Sequence, residues 1–255
     1  MLTPVFEWPG NPRAASIRAR SGRPAIVGGA GTGGGMSAGA LNAPGTDLPE
    51  FLSWDELQRL PEDVAAQIEL WDRKVVWNRR GPLEHQRFAV RMRNALEAGA
   101  RQAMQGAAGD GEQRCWQVEV ETNVFFTPDK SSFLTPDFLI RRCLPRGADT
   151  FASDVVLAGE VLSGSDTPKR RTWKMDRYAE AGIPWYWEVE LDSPGTWDIT
   201  AVRAYEVATA PVTGLVVKPL RQALYIPVGE WEPAGPGITF PEPFSLDITW
   251  EDLAF

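Results

Sequence analysis

Val155-Val156-Leu157-Ala158-Gly159-Glu160-Val161-Leu162 places one carboxylate inside an otherwise apolar run. A run of this kind reads as a strand buried on both faces. A charge there is costly unless it is paired or holds a metal. Upstream, Thr135-Pro136-Asp137 heads a second apolar stretch, Phe138-Leu139-Ile140. Downstream, Lys174 follows Glu160 by fourteen residues, in a segment that reads as a helix. Two acids and a lysine converging near strand ends can hold a divalent cation and activate a water.

Asp137 and Glu160 are separated by 22 residues, room for two neighbouring strands and a hairpin-like loop. Side by side, the two charges would raise each other's pKa unless a cation sat between them. Magnesium, which takes a few carboxylates and keeps several waters, fits this set best. The plainer reading is that Glu160 ends a strand and Asp137 caps a turn after Pro136. Helical spacing puts Lys174, Arg177, Tyr178 and Ala181 on one face. If that face packs on the sheet, Lys174 reaches the acids. There it would orient or deprotonate a water, or neutralise phosphate charge. The alternative is a surface lysine with a buried stem.

The flanking sequence supplies a frame for these residues. Ser53 with Glu56 three residues on is a capping-box pattern, predicting a short helix that ends at Pro61. Gln67-Ile68-Glu69-Leu70-Trp71 and Lys74-Val75-Val76-Trp77 read as paired strands with Asp72-Arg73 as the turn. Leu83 to Met104 is the strongest helix, with Phe88, Met92, Ala95, Leu96 and Gly99 on one side. Gly106 to Gly111 ends it as a loop. Trp116 to Glu121 alternates strictly, as a half-exposed strand does. Lys169 to Ala181 is helical and closed by Gly182 and Pro184. Trp185 to Glu190 is a further strand, with one of its aromatic sets in the core. Asp198 to Val207 and Leu215 to Leu220 read as a peripheral antiparallel pair. Phe244 to Phe255 packs back through Leu246, Ile248 and Leu253. The sum is α/β: a mixed sheet flanked by helices.

Residues 1 to 46 read as a flexible Gly/Pro/Ala-rich tail, and 47 to 255 as the folded domain. The glycines between Gly28 and Ala40 do not form a phosphate loop, because no Gly-Lys-Ser/Thr follows. The 255 residues are 43% apolar, enough for a substantial core. The net charge of −8 argues against a broad non-specific nucleic-acid binder but leaves room for local basic contacts. One histidine, His85, excludes zinc sites built on several imidazoles. Cys115 and Cys143 lack metal-ligand spacing, and two thiols in such a chain suggest a reducing compartment. No stretch has membrane-spanning length or the apolar core of a secretory signal. The expectation is a soluble, cytoplasmic protein.

Pro136-Asp137, Glu160-Val161-Leu162-Ser163 and Lys174-x-x-x-Tyr178-Ala179-x-Ala181-Gly182-Ile183-Pro184-x-Tyr186-Trp187-x-Val189 together resemble the Uma-type putative restriction endonuclease family. That family belongs to the PD-(D/E)xK, restriction-endonuclease-like superfamily. Ile68-Glu69-Leu70 resembles its early Glu-Leu element, His85 its histidine opening the long helix, and Phe244 to Leu253 its closing segment. The likeness covers residues 50 to 253 and is most specific over 159 to 189. It implies a restriction-endonuclease-like core with Asp137 and Glu160 as metal ligands and Glu69 as a third acidic group. The superfamily lysine normally lies two residues after the second acid, where this chain has Leu162. The resemblance implies that in this family it is displaced onto the following helix, as Lys174. The chain departs from the pattern at Arg170, usually an aspartate, and at Arg73, often a glycine.

His85 is either a phosphate or ligand contact near the site or a structural hydrogen-bonding group. Lys169, Arg170, Arg171, Lys174 and Arg177, with Tyr178, form a basic run where a polyanionic backbone would be steered. Trp173 inside it either stacks on a base or belongs to the core or a dimer contact. The expectation is a Mg2+- or Mn2+-dependent endonuclease hydrolysing phosphodiester bonds of DNA and working as a homodimer. The competing expectation is a nuclease-fold interaction or nucleic-acid-binding module that has lost turnover.

Overall fold

The computed structural model describes residues 48–78, 81–106, 115–163, 166–193, 195–209 and 222–255. The expected tail over 1 to 46, most of the loop after Gly106 and the strand expected at Leu215 to Leu220 lie outside the described residues.

The folded part opens on helix α1 (Trp54–Leu57), where Ser53 and Glu56 cap each other as the sequence predicts. The helix stops at Leu57, and Pro61 instead starts α2 (Glu62–Ala65). Strands β1 (Ile68–Trp71) and β2 (Lys74–Trp77) pair antiparallel. Asp72 and Arg73 turn between them, both with positive φ. Helix α3 (Leu83–Gly106) buries Phe88, Ala89, Met92, Leu96 and Ala100 along one stripe.

Strands β3 (Trp116–Val120), β4 (Val124–Phe125), β5 (Phe133–Leu134), β6 (Phe138–Arg142) and β7 (Thr150–Phe151) follow. Next come β8 (Val155–Leu162), α4 (Pro168–Glu180) and β9 (Trp185–Leu191). Thr167 caps α4, Pro168 fills its first turn, and Gly182 leaves it at φ +74°, a conformation that costs glycine little. The chain ends with β10 (Ile199–Thr209), β11 (Ala223–Trp231), β12 (Ile238–Phe240), β13 (Leu246–Ile248) and α5 (Trp250–Leu253).

The main sheet has the order β11-β10-β9-β8-β6-β3. Only β8 and β9 are parallel in it, joined by α4 as a crossover. A second sheet runs β2-β1-β5-β4-β7, and β12 pairs with β13. One face of the main sheet packs Phe138, Ile140, Leu157, Val161, Trp187 and Val189 against α3 and the C-terminal segment. The other face packs Leu139, Ala158 and Tyr186 against Tyr178 and Ile183. Tyr186 and Trp187 are therefore both core, one on each face. Strand periodicity puts Asp137 with Leu139, Glu160 with Ala158, and Glu188 with Tyr186, all on the α4 face. Phe244, Leu246, Ile248 and Leu253 do pack back on the core.

The strand found beside β10 is β11, which the sequence reading passed over. Pro227 and Gly229 mask it. The structure admits them because β11 is an edge strand with a register shift opposite Ala204 and Tyr205.

Cys115 and Cys143 are not separate thiols but a disulfide, 5.3 Å apart at Cα. The bond extends the β3–β6 pairing by one step, where Cys143 N donates to the Cys115 carbonyl. Their count therefore no longer argues for a reducing compartment. Among the described residues, no helix is long and apolar enough to cross a membrane.

Candidate active site

The floor of the site is set by register. Phe138 pairs with Gly159 across β6 and β8, so Asp137 and Glu160 emerge next to each other. The Asp137 Oδ2 atom accepts a hydrogen bond from Val161 N at 2.7 Å, across the two strands. His85, at the start of α3, approaches the same oxygen through Nε2 at 3.2 Å.

Helix α4 lies over these strand ends. Lys174 Nζ donates to both Glu160 oxygens at 2.9 Å. Tyr178, one turn on, donates its hydroxyl to Glu160 Oε1 at 2.8 Å. Glu69 comes in from β1, fully buried, 3.5 Å from Lys174 Nζ. Its Oε1 accepts from Asn78 Nδ2 and from Thr135 N, each at 2.9 Å. Its Oε2 is buried without a hydrogen-bond partner among the described residues. Arg170 Nη2 stands 3.8 Å from that oxygen. Arg170 is itself held by the Trp77 carbonyl at 3.0 Å and Asn78 Oδ1 at 2.6 Å. The arginine that departs from the family pattern thus braces the β2 end against α4.

Asp137, Glu160, Lys174, His85, Arg170 and Arg171 line one cavity of about 320 Å³. Acidic and basic groups face each other in it. Burial, opposed by Lys174 and reinforced by Asp137 and Glu69, pushes the Glu160 carboxyl up to about 7. Burial pulls the Lys174 ammonium down, but Glu160, Glu69 and Asp137 outweigh it and raise it. His85 behaves likewise: burial opposes its charge, and the Asp137 hydrogen bond and charge win. All three groups hold protons more tightly than usual, Glu160 chiefly because it is buried, and Lys174 and His85 because the neighbouring acids outweigh their burial. Such a site also attracts other cations.

The donor set fits a divalent ion of the magnesium type. Asp137 and Glu160 offer hard oxygens from adjacent strands, and Glu69 carries an orphaned carboxylate oxygen. It is not a closed cage: among the described residues, no three His, Cys, Asp or Glu side chains stand close enough to hold an ion together. In this arrangement Lys174 is the cation bridging Glu69 and Glu160.

The other sequence-predicted residues divide. Lys169 is exposed on the outer side of α4 and does not line the cavity. Arg177 pairs with Glu180 and lies over the Trp71 ring, 4.8 Å from its centroid, also away from the cavity. Tyr178 is sealed behind Glu160 as its hydrogen-bond donor. Helical spacing explains the split: 170, 171 and 174 face the strand ends, 169 turns outward, and 177 faces β1. Trp173 packs edge-to-face on Trp71 at 5.7 Å.

Sequence reasoning missed Glu188, fully buried and paired with Arg171. The signal was present, because Glu188 interrupts an apolar run as Glu160 does. It also missed Asn78 and Asp166, which line the cavity but sit in no distinctive pattern.

Comparison with known proteins supplies a context. The sequence profile of the Uma2 family, described as putative restriction endonuclease, matches residues 54–216. A solved structure, that of a putative nuclease belonging to DUF820 from Anabaena variabilis, superposes with a TM-score of 0.51 at 17% identity. The match covers 79% of this chain and 97% of that one. No curated protein matches the chain. The architecture is the mixed α/β, restriction-endonuclease-like fold.

Proposed function

The chain belongs to the Uma2 family of putative restriction endonucleases, and from that premise we propose that it is a divalent-metal-dependent endonuclease hydrolysing phosphodiester bonds of DNA. The observation that carries this reading is the convergence of Asp137, Glu160 and Lys174 on one cavity from β6, β8 and α4.

In this reading Asp137 and Glu160 hold Mg2+ or Mn2+, with Glu69 assisting from behind. The ion supplies Lewis-acid stabilisation and a more acidic water. The protein's own groups do the rest. Lys174 keeps its proton, since the surrounding acids raise its pKa. It therefore orients the attacking water and offsets negative charge on the phosphoryl group, rather than serving as the base. Tyr178 fixes the Glu160 carboxylate. His85 steadies Asp137. Arg170 and Arg171 add positive charge to a cavity wall that acids would otherwise make repellent to phosphate. The water oxygen bonds to phosphorus as the bond to the leaving oxygen breaks; the proton the water gives up passes to solvent, and the leaving oxygen takes up one from solvent.

Residues 47 to 255 form the catalytic domain in this proposal, and the tail before it is an appendage. A homodimer would let two such sites cut both strands of a duplex. The cytoplasmic assignment rests on the DNA substrate alone.

A second reading is a nuclease-fold module that binds without turnover. It draws on the Lys174 ammonium occupying both Glu160 oxygens. Cleavage of plasmid and single-stranded DNA with Mg2+ separates the two. The wild-type protein should nick the plasmid, and Asp137→Ala and Lys174→Ala should each abolish that nicking. Equal activity in all three proteins would remove the proposal.

A further inference from the structure

Beside the Glu160–Lys174 pair lies a second ion pair, Arg171–Glu188, whose buried carboxylate has no part in the hydrolytic scheme. Glu160 and Glu188 are register partners on the parallel strands β8 and β9. Arg171 and Lys174 are one turn apart on α4. The helix therefore sets Lys174 over Glu160 and Arg171 over Glu188.

Glu188 is 0% exposed. Its Oε1 accepts from Arg171 Nε at 2.5 Å and from the Tyr186 hydroxyl at 3.3 Å. Its Oε2 accepts from Arg171 Nη2 and from the Tyr205 hydroxyl, the latter at 2.9 Å. Arg171 Nη2 also reaches the Tyr205 oxygen at 3.3 Å. The Arg171 side chain remains 31% exposed and lines the cavity with Lys174. The hydrogen bonds among the described residues use its Nε and Nη2, and none uses Nη1.

A buried ion pair is an expensive way to fill a sheet face, since apolar residues of similar volume pack there at less cost. What this one achieves is orientation. A guanidinium gripped along one edge has lost its rotational freedom, and its remaining donors point in a fixed direction.

We propose that Glu188 is a positioning residue that clamps Arg171 along one edge, so that the other edge forms a fixed donor site for a non-bridging oxygen of a phosphodiester in the cavity. This rests on the nucleic-acid reading above. Because Glu188 balances part of the Arg171 charge, the clamp contributes direction beyond the attraction that the guanidinium already supplies. A lysine, which keeps the charge and loses the planar fork, should not replace it.

The test is fluorescence anisotropy of a labelled single-stranded oligonucleotide with Ca2+ present, using the full chain. The proteins are wild type, Arg171→Lys, Glu188→Gln and the apolar pair Arg171→Met/Glu188→Met. Mn2+ binding and thermal melting are measured alongside. Arg171→Lys, Glu188→Gln and the double variant should each bind the oligonucleotide about tenfold or more weakly, corresponding to one lost charge-assisted contact, while Mn2+ binding stays as in wild type. The double variant should melt at or above the wild-type temperature, separating the clamp from a purely structural pair. Wild-type oligonucleotide affinity in Arg171→Lys or in a folded double variant would overturn the proposal. A wild-type protein that binds through Arg171 but never cleaves would overturn hydrolysis and leave the clamp standing. A wild-type protein that binds no oligonucleotide would overturn both.

Discussion

The ring of Phe138 occupies the space that a side chain on Gly159 would need. A Cβ built on Gly159 falls 2.1 Å from Phe138 Cε2 and Cζ. These two residues are register partners, and each is followed or preceded by one of the candidate metal ligands. The glycine lets the ring lie flat across the strand, and the ring fixes the strand pair that brings Asp137 beside Glu160. Gly159→Ala should therefore cost about 1–3 kcal/mol through overpacking of a fully buried ring. Urea unfolding checks this. An unchanged midpoint would mean that the strands slide apart freely.

Arg73 adopts φ +66° and Asp72 φ +50° in the β1–β2 turn. Positive φ at both positions suits Asn, Asp and Gly far better than arginine. The Arg73 backbone donates to Ser131 O and accepts from Leu52 N, each at 2.7 Å, and glycine preserves both bonds. Arg73→Gly should raise stability by about 1 kcal/mol. A thermal melt shifted upward by a few degrees is the expected result, and a downward shift would contradict it.

The Cys115–Cys143 bond ties the ends of β3 and β6 across 28 residues of sequence. Closing a loop of that size restricts the unfolded chain by about 3 kcal/mol. Reduction, or the Cys115→Ser/Cys143→Ser pair, should lower the unfolding midpoint accordingly while leaving Mn2+ binding in place, since neither cysteine lines the cavity. Loss of ion binding on reduction would show that the staple reaches the site.

Glu160 gives a pH dependence with a definite sign. Its carboxyl is raised to about 7 in the folded protein, against about 4.3 in an unfolded chain. Between those values the native state binds the extra proton, so this group's contribution to stability falls as pH rises through the window. Comparing metal-free wild type with Glu160→Gln at pH 5 and pH 8 isolates the effect. Wild type should lose ground relative to the variant at the higher pH. A difference that does not change with pH would place the Glu160 titration elsewhere.

The sequence exposed the parts of this molecule whose signals are local. The unbroken burial of β8, the hairpin around Asp72-Arg73 and the stripe on α3 all follow from spacing. The meeting of Asp137, Glu160 and Lys174 followed from two apolar runs and one helical face. Other features depend on neighbours distant in sequence. The cysteines pair only because β3 and β6 are adjacent. Pro227 and Gly229 hide a strand that an edge position tolerates. Two-residue strands such as β4 and β5 are too short to show a period. Glu188 was legible in principle. It stands in a largely apolar strand, buried like its neighbours, while Glu190 is less buried.

The most direct test is a titration of the metal-free protein with Mn2+ at pH 8, followed by calorimetry or by the loss of free Mn2+ resonance. Wild type should take up the ion at a site that Asp137→Asn abolishes. A wild-type protein that takes up none, or an Asp137→Asn protein that binds as well, would contradict the assignment of this acid pair as the ion-holding centre of a nuclease.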